Sequence, residues 1–218
     1  MKISLSDDFA QRDIRLRLGL IQADVFIEDS KPEFIAKLDD VVERRIAEFN
    51  AQPASSDPQI MATRKAYKAL GKDPARYRPA AEALTRRLLS GKGIYHVNNV
   101  VDVNNLISIK SGISIGTYIT EKIEGDVIFR RANAGESYKG IGRGDLNLEG
   151  LPIFCDELGP FGCPTSDSER TMITKGHHTI AMVLINFGDD AALEGYLEET
   201  QALLKDYCQA ENITTTLV

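Results

Sequence analysis

Tryptophan is absent from the 218 residues, and cysteine is scarce, at Cys155, Cys163 and Cys208 only. A small, odd set of cysteines does not build a disulfide framework. It predicts reduced thiols and a cytoplasmic setting. Cys155 and Cys163 also lack the close spacing of zinc ligands. His177 and His178 are adjacent, so on a strand they face opposite ways, and His96 stands alone. No metal and no other cofactor is expected. No apolar run approaches the ~18 residues that a membrane span needs. The start, MKISLSDDFAQRD, has no apolar core of a signal peptide. Nothing repeats internally, and the composition is that of a folded chain, long enough to bury a sizeable core. These absences leave one folded domain over residues 1–218.

The net charge of −6 weighs against a general nucleic-acid binder. The average hides an exception. From Met61 to Lys92 there are nine basic residues and two acidic ones, a local +7 that leaves −13 for the rest. Such a run is either a pair of solvated helix faces or a phosphate-contacting patch. On the second reading Arg64, Lys68, Arg86, Arg87 and Lys92 are its candidate contacts.

Apolar alternation over 12–28 predicts strands, with Gly19 as a weak point. Phe34, Ile35, Leu38, Val41, Val42, Ile46 and Phe49 recur at helical spacing behind Pro32, so a helix is expected over about 32–50. Asp57-Pro58 reads as a cap and first helical position, with Gly71 closing that helix near Leu70. Another helix is expected from Pro79 to before Gly91. Strands are expected around Ile107 and Ile109, Ile113 and Ile115, Val127 and Phe129, Leu151 to Cys155, Met172-Ile173, and Thr179 to Phe187. The last is apolar enough to be central. Gly140 onward and Gly159 to Ser168 read as loops. A final helix, capped by Asp189, should span about 190–209, before a tail expected as an edge strand or frayed end. Strands, helices, strands and a helix follow without regular alternation. The class is therefore α+β, with mixed, mostly antiparallel sheets and packed helices.

The densest polar constellation is Asn98, Asn99, Asp102, Asn104 and Asn105, set among Val97, Val100, Val101, Val103 and Leu106. A buried amide or carboxylate without a partner costs roughly 1–3 kcal/mol. The group is therefore either a structural turn network or a site. Thr165, Ser166, Asp167 and Ser168 form a polar loop that either caps its own backbone or rims a pocket. GIGRGD, from Gly140, is not a dinucleotide fingerprint, since its third glycine is misplaced. Its backbone amides remain able to cradle an anion. No nucleophile and base pair can be assigned, so no catalytic residue is named.

Three stretches carry a family resemblance: RKAYKALGKDPARYRPAAEALTRRLLSGK, NNVVDVNNLISIKSGISIGTYITEKIEGDVIFRRANAGE and TSDSERTMITKGHHTIAMVLINF. Their most specific features are Val101-Asp102-Val103-x-Asn105, Lys122-Ile123-Glu124-Gly125, Arg130 and Gly135-Glu136. Together they resemble the B3/B4 domain of the phenylalanyl-tRNA synthetase beta chain, and more closely its free-standing form. The resemblance runs over about 61–187. It leaves 1–55 as an accessory N-terminal segment and 189–210 as a C-terminal helix.

What the resemblance implies is an α+β core and a link to tRNA. In the synthetase, this domain hydrolyses tyrosine mischarged onto phenylalanine tRNA, a form of editing. This chain departs from the editing pattern. The family's G-x-P-x-H-A-(F/Y)-D segment corresponds to Gly112, Ile113, Ser114, Ile115, Gly116, Thr117, Tyr118 and Ile119. Gly116 stands in the place of the histidine and Ile119 in that of the aspartate. Gly162, Cys163 and Pro164 replace a G-G-E segment. Asp102, Asn105 and Arg130 carry over.

Two functions follow. The first is a stand-alone protein that binds tRNA or aminoacyl-tRNA, with or without hydrolysis of a mischarged ester. Asn98, Asn99, Asp102 and Asn105 would border its pocket, the 165–168 loop would lie opposite, and Arg130 would meet a carboxylate or phosphate. The alternative is a small-molecule binder, for an amino acid or related metabolite, without catalysis.

Overall fold

A long antiparallel pair organises the chain. In the computed structural model, which describes residues 1–218, strand β2 (Arg17–Ile27) pairs with β9 (Gly176–Asn186) along its whole length, from Arg17 opposite Asn186 to Ile27 opposite Gly176. Strands β3 (Ser114–Ile119) and β10 (Glu211–Leu217) flank the pair, giving the order β10-β2-β9-β3.

Both faces of this sheet are covered, which is why β9 reads as an unbroken apolar run. Ile21, Ala23, Val25 and Ile27, with Ile180, Met182 and Leu184, face a helical layer. That layer holds α1 (Pro32–Phe49), α3 (Ala80–Leu89), α4 (Asn99–Ser111) and α5 (Leu193–Cys208). Leu18, Leu20, Ala181, Val183 and Ile185 face the opposite way. They meet Ala66 and Leu70, from α2 (Pro58–Ala69) and its end, and the phenylalanines of a second sheet.

The second sheet has the order β1-β4-β7-β8. Its strands are β1 (Ile3–Leu5), β4 (Val127–Arg131), β7 (Pro152–Asp156) and β8 (Gly159–Gly162). Here β1 runs parallel to β4, while the other pairings are antiparallel. A hairpin of β5 (Ser137–Gly140) and β6 (Gly144–Asn147) stands apart. The α+β class holds. No helix is long and apolar enough to cross a membrane.

Local chemistry sets the helix ends. Pro32 opens α1. The Asp57 carboxylate accepts from the backbone N–H groups of Gln59 and Ile60 and so caps α2. Gly19 sits under α5, where a Cβ would overlap Leu197, so the glycine permits close helix-on-sheet packing.

Several expectations need correction. Ile107 and Ile109 belong to α4, not to a strand. Val100, Val103, Leu106, Ile107 and Ile109 are all buried, so this helix is apolar on nearly every side and shows no amphipathic period. Met172-Ile173 is not a strand; β9 begins at Gly176. The GIGRGD segment is the turn and second strand of a hairpin, with Gly142 and Gly144 at positive φ. Gly159 to Gly162 is β8 rather than loop. Asp189 accepts from Ala191 N–H ahead of α5, whose cap position is Ala192. The N-terminal 55 residues supply β2, which lies inside the first sheet.

Candidate functional site

The N-terminal turn of α4 uses its polar side chains for architecture. Asn98 caps the helix by accepting from Val101 N–H at 2.9 Å. Asn99 accepts from Glu28 N–H and donates to the carbonyls of Phe26 and Tyr207, joining β2, α4 and α5. Asp102 is fully buried and accepts from the Ser30 hydroxyl at 2.6 Å and from Val97 N–H. His96 Nδ1 lies 3.3 Å from its carboxylate. All three side chains are occupied within the fold.

One turn farther along, the helix opens onto solvent. A cleft of about 270 Å³ lies between α3, α4 and the β5–β6 hairpin tip. Arg87 comes from α3, Asn104, Asn105 and Ser108 from α4, and Arg143 from the hairpin turn. Thr165 closes one side, and Ala80, Ala83 and Leu84 supply an apolar wall. Three residues singled out from the sequence, Asn105, Thr165 and Arg87, therefore share one cleft. Asn104, of the same polar constellation, joins them, as do Ser108 and Arg143, which the sequence did not single out.

The hydrogen bonds of this cleft divide it into fixed and free groups. Thr165 Oγ1 donates to the Tyr77 carbonyl and pairs with the Tyr67 hydroxyl. Ser108 donates to the Ile113 carbonyl. Asn104 Oδ1 accepts from Thr117, which leaves its NH2 group free. The Asn105 and Arg143 side chains make no hydrogen bond or ion pair within the chain. Arg87 donates from Nη2 to the Lys92 carbonyl and lies 3.8 Å from the Tyr95 ring centroid. Its Nε is buried without a partner. The open groups are thus almost all donors. No carboxylate and no histidine lines the cleft.

Behind Thr165 lies a buried polar cluster. Tyr118 Oη donates to Asp167 at 2.8 Å, and Tyr138 Oη donates to the Ser166 carbonyl. Burial pushes the Asp167 carboxyl up to about 7, against the opposing pull of the Tyr118 hydroxyl and the Cys163 and Thr117 N–H groups. Burial likewise raises the Tyr118, Tyr138 and Cys163 groups. Ser166 and Asp167 therefore belong to the support of the Thr165 wall and do not line the cleft. Gly116, where the resemblance implies a histidine, lies against the Tyr118 phenol; a Cβ there would overlap the hydroxyl. Gly162 meets the same hydroxyl from the other side. The phenol occupies the room that a residue-116 side chain would need.

The basic candidates separate as well. Arg64 pairs through two hydrogen bonds with the buried Glu82, which also has Arg78 at 3.7 Å and Arg86 at 3.8 Å. Lys72 is buried, donating to the Asn147 and Glu149 carbonyls over the Tyr77 ring. Lys68 and Lys92 are exposed, and Arg86 is about half exposed. Arg130 lies outside the cleft, held through two hydrogen bonds to Glu136, whose carboxyl it keeps below the usual range.

A wider cleft of about 360 Å³ lies at the start of β9, lined by Asp24, Glu121, His177 and His178. Its central carboxylate, Asp24, is already bonded to Thr179 and Asn212. No group of three or more His, Cys, Asp or Glu side chains comes together as a metal site would require.

Among curated proteins, none matches the chain. Among solved structures it is similar to an N-terminal fragment of the phenylalanyl-tRNA synthetase beta-subunit from Pyrococcus horikoshii, at 12% identity and a TM-score of 0.47. That similarity covers all of this chain and 54% of the other, so the chain spans about half the length of that fragment. A family model of the B3/4 domain matches residues 62–208, which take in most of α2, all of α3 to α5 and both walls of the α3–α4 cleft, and the chain belongs to the B3/4 domain family.

Proposed function

We propose that this B3/4 protein binds the aminoacylated 3′ end of tRNA in the α3–α4 cleft. The observation that carries the reading is the donor-rich lining. Arg87 Nε, the Asn104 NH2 group, the Asn105 amide and Arg143 all lack partners within the chain. Of these only Arg87 Nε is buried, at a cost of about 1–3 kcal/mol that an oxygen-rich ligand would remove; the half-buried Asn104 and Asn105 and the exposed Arg143 would exchange water for the ligand. The ester, ribose and phosphates of a charged tRNA end present such oxygens. The volume, about 270 Å³, suits an amino-acid-sized group. Arg86 and Lys92, beside Arg87 in sequence, and Lys68 on α2 remain available to the RNA backbone. The family membership agrees with this assignment.

Hydrolysis is the lesser part of the proposal. The lining offers donors to an ester oxyanion but no base to activate water. Any deacylation would therefore draw on hydroxide from solvent, with a rate that rises steadily with pH.

A second reading is favoured by the inward turn of Arg64 and Lys72, which leaves less basic surface than the residue count implies. On that reading Arg87 and Arg143 hold the carboxylate of a free amino acid or related metabolite. Asp102, Asn98 and Asn99 then serve both readings as supports of α4, and Arg130 serves neither directly.

Equilibrium binding of charged and uncharged tRNA, with free amino acids as competitors, separates the two. The tRNA reading expects tighter binding of the charged form and a fall in affinity with salt, at a log–log slope of roughly −2 to −3. Arg143→Glu should abolish it. Binding of free amino acids with no tRNA affinity would sink the first reading in favour of the second.

A further inference from the structure

Strand β10 leaves one edge of the first sheet open. Its only strand partner is β2. Residues Thr214 to Leu217 are exposed, and that stretch holds no charge and no proline. An edge without such guards is a template for another strand.

The register shows which groups it presents. Leu18 and Val218 exchange both backbone hydrogen bonds, each 2.9 Å. Thr216 lies opposite Leu20, and Thr214 opposite Gln22. Antiparallel alternation therefore turns the N–H and C=O of 214, 216 and 218 toward β2. It turns those of Ile213, Thr215 and Leu217 outward. At the other end, Asn212 at φ 50° and a bulge between 211 and 214 interrupt the ladder.

We propose that β10 pairs antiparallel with β10 of a second copy of this chain, about a two-fold axis at Thr215. The two four-stranded sheets then become one continuous sheet. In this register Thr215 faces Thr215 of the second copy, and Ile213 faces its Leu217. Every outward-facing backbone group of the three residues finds a partner. The side chains match too: threonine meets threonine, apolar meets apolar, and Thr214 meets Thr216. A parallel or shifted pairing has no such self-complementarity.

The axis stands normal to the sheet, so both copies of α5 lie on the same side. Glu194 and Glu198 line a cleft there with Thr215 and Leu217. The dimer brings these carboxylates from two copies to one side, and salt relieves their repulsion. Association of this kind strengthens with salt, whereas phosphate-driven RNA binding weakens. Strand-edge contacts alone bury little surface, so the dimer is a reversible one.

Sedimentation velocity over a concentration series tests this on the full chain. The wild type should move from monomer toward dimer with rising concentration, and more so in high salt. Thr215→Pro removes an outward N–H, and Thr215→Lys places a charge on the axis. Both should remain monomeric at every concentration, with the unfolding midpoint of the dilute, monomeric wild type. Thr214→Pro removes an N–H used by β2 and should lower stability instead. A wild type that stays monomeric throughout, or a dimer that persists in Thr215→Lys, overturns the proposal.

Discussion

Removing the charge of Asp167 should make the protein more stable at alkaline pH and leave it unchanged in acid. In the unfolded chain this carboxyl titrates near 3.8, whereas burial beside Tyr118 holds it at about 7 in the fold. A carboxyl raised in the folded state contributes its stability below the unfolded value. That contribution is lost as pH rises from about 4 through about 7. A shift of about three units corresponds to roughly 4 kcal/mol, an upper limit because part of the largely buried residue still reaches solvent. Asp167→Asn keeps an oxygen for the Tyr118 hydroxyl and for the Cys163 and Thr117 N–H groups. Urea unfolding of wild type and variant at about pH 4 and about pH 8.5 reads the difference. The variant should match the wild type in acid and exceed it by up to ~4 kcal/mol at the higher pH. Asp24, Glu136 and Asp156 have lowered values, so the stability they add is present at neutral pH and lost only as the solution becomes strongly acidic. The two windows meet only near pH 4, where the Glu136 contribution begins to fall and the Asp167 contribution is almost complete. An Asp167→Asn variant less stable than wild type at pH 8.5 would refute the reasoning.

Tyr118→Phe should destabilise by about 1.5–3 kcal/mol where Asp167 is ionised and by less where it is protonated, as a double-mutant cycle with Asp167→Asn will show. Gly116→Ala forces the phenol off Asp167 and should cost about 1–3 kcal/mol in urea unfolding. Glu82→Gln leaves Arg64, Arg78 and Arg86 around a neutral group; a loss of about 3–5 kcal/mol is expected by thermal or chemical unfolding. All three cysteines are free and buried, with the Cys163 and Cys208 thiols pushed up, so thiol reagents should label them only as the protein unfolds.

The parts of the fold legible in the sequence are those with a one-sided environment or a strong terminal signal. Helix α1 buries one stripe, Phe34, Leu38, Val41 and Phe49, behind Pro32, and its period survives in the sequence. Asp57-Pro58 announces α2 because the cap and the proline act locally. Strand β9 was expected to be central because both its faces are apolar, and it is. Helix α4 failed for the same reason: buried on nearly all sides, it loses the periodicity that separates helix from strand. The hairpin at Gly140 carries no strand signal because its strands are four residues each and face solvent.

The candidate site divides along similar lines. Asn105, Thr165 and Arg87 stood out by residue type, and the fold brings them to one cleft. Which asparagines stay free was not legible. Asn99 spends its amide on Phe26 and Tyr207, far away in sequence, while the Asn105 side chain makes no hydrogen bond. Only the tertiary contacts distinguish them. Arg143 had no signal beyond its glycine-rich turn, and the charge count could not tell Arg64, turned onto Glu82, from Lys92 in solvent.

The central claim rests on a buried donor that awaits an acceptor, and Arg87 can be watched directly. Nitrogen–proton NMR of the arginine side chains, with and without a 3′-aminoacyl adenosine fragment, follows its Nε–H. The account predicts a downfield shift and slower solvent exchange at Arg87 on binding, with smaller changes at Arg143 and none at Arg130. An unchanged Arg87 resonance in a protein saturated with the fragment would contradict it.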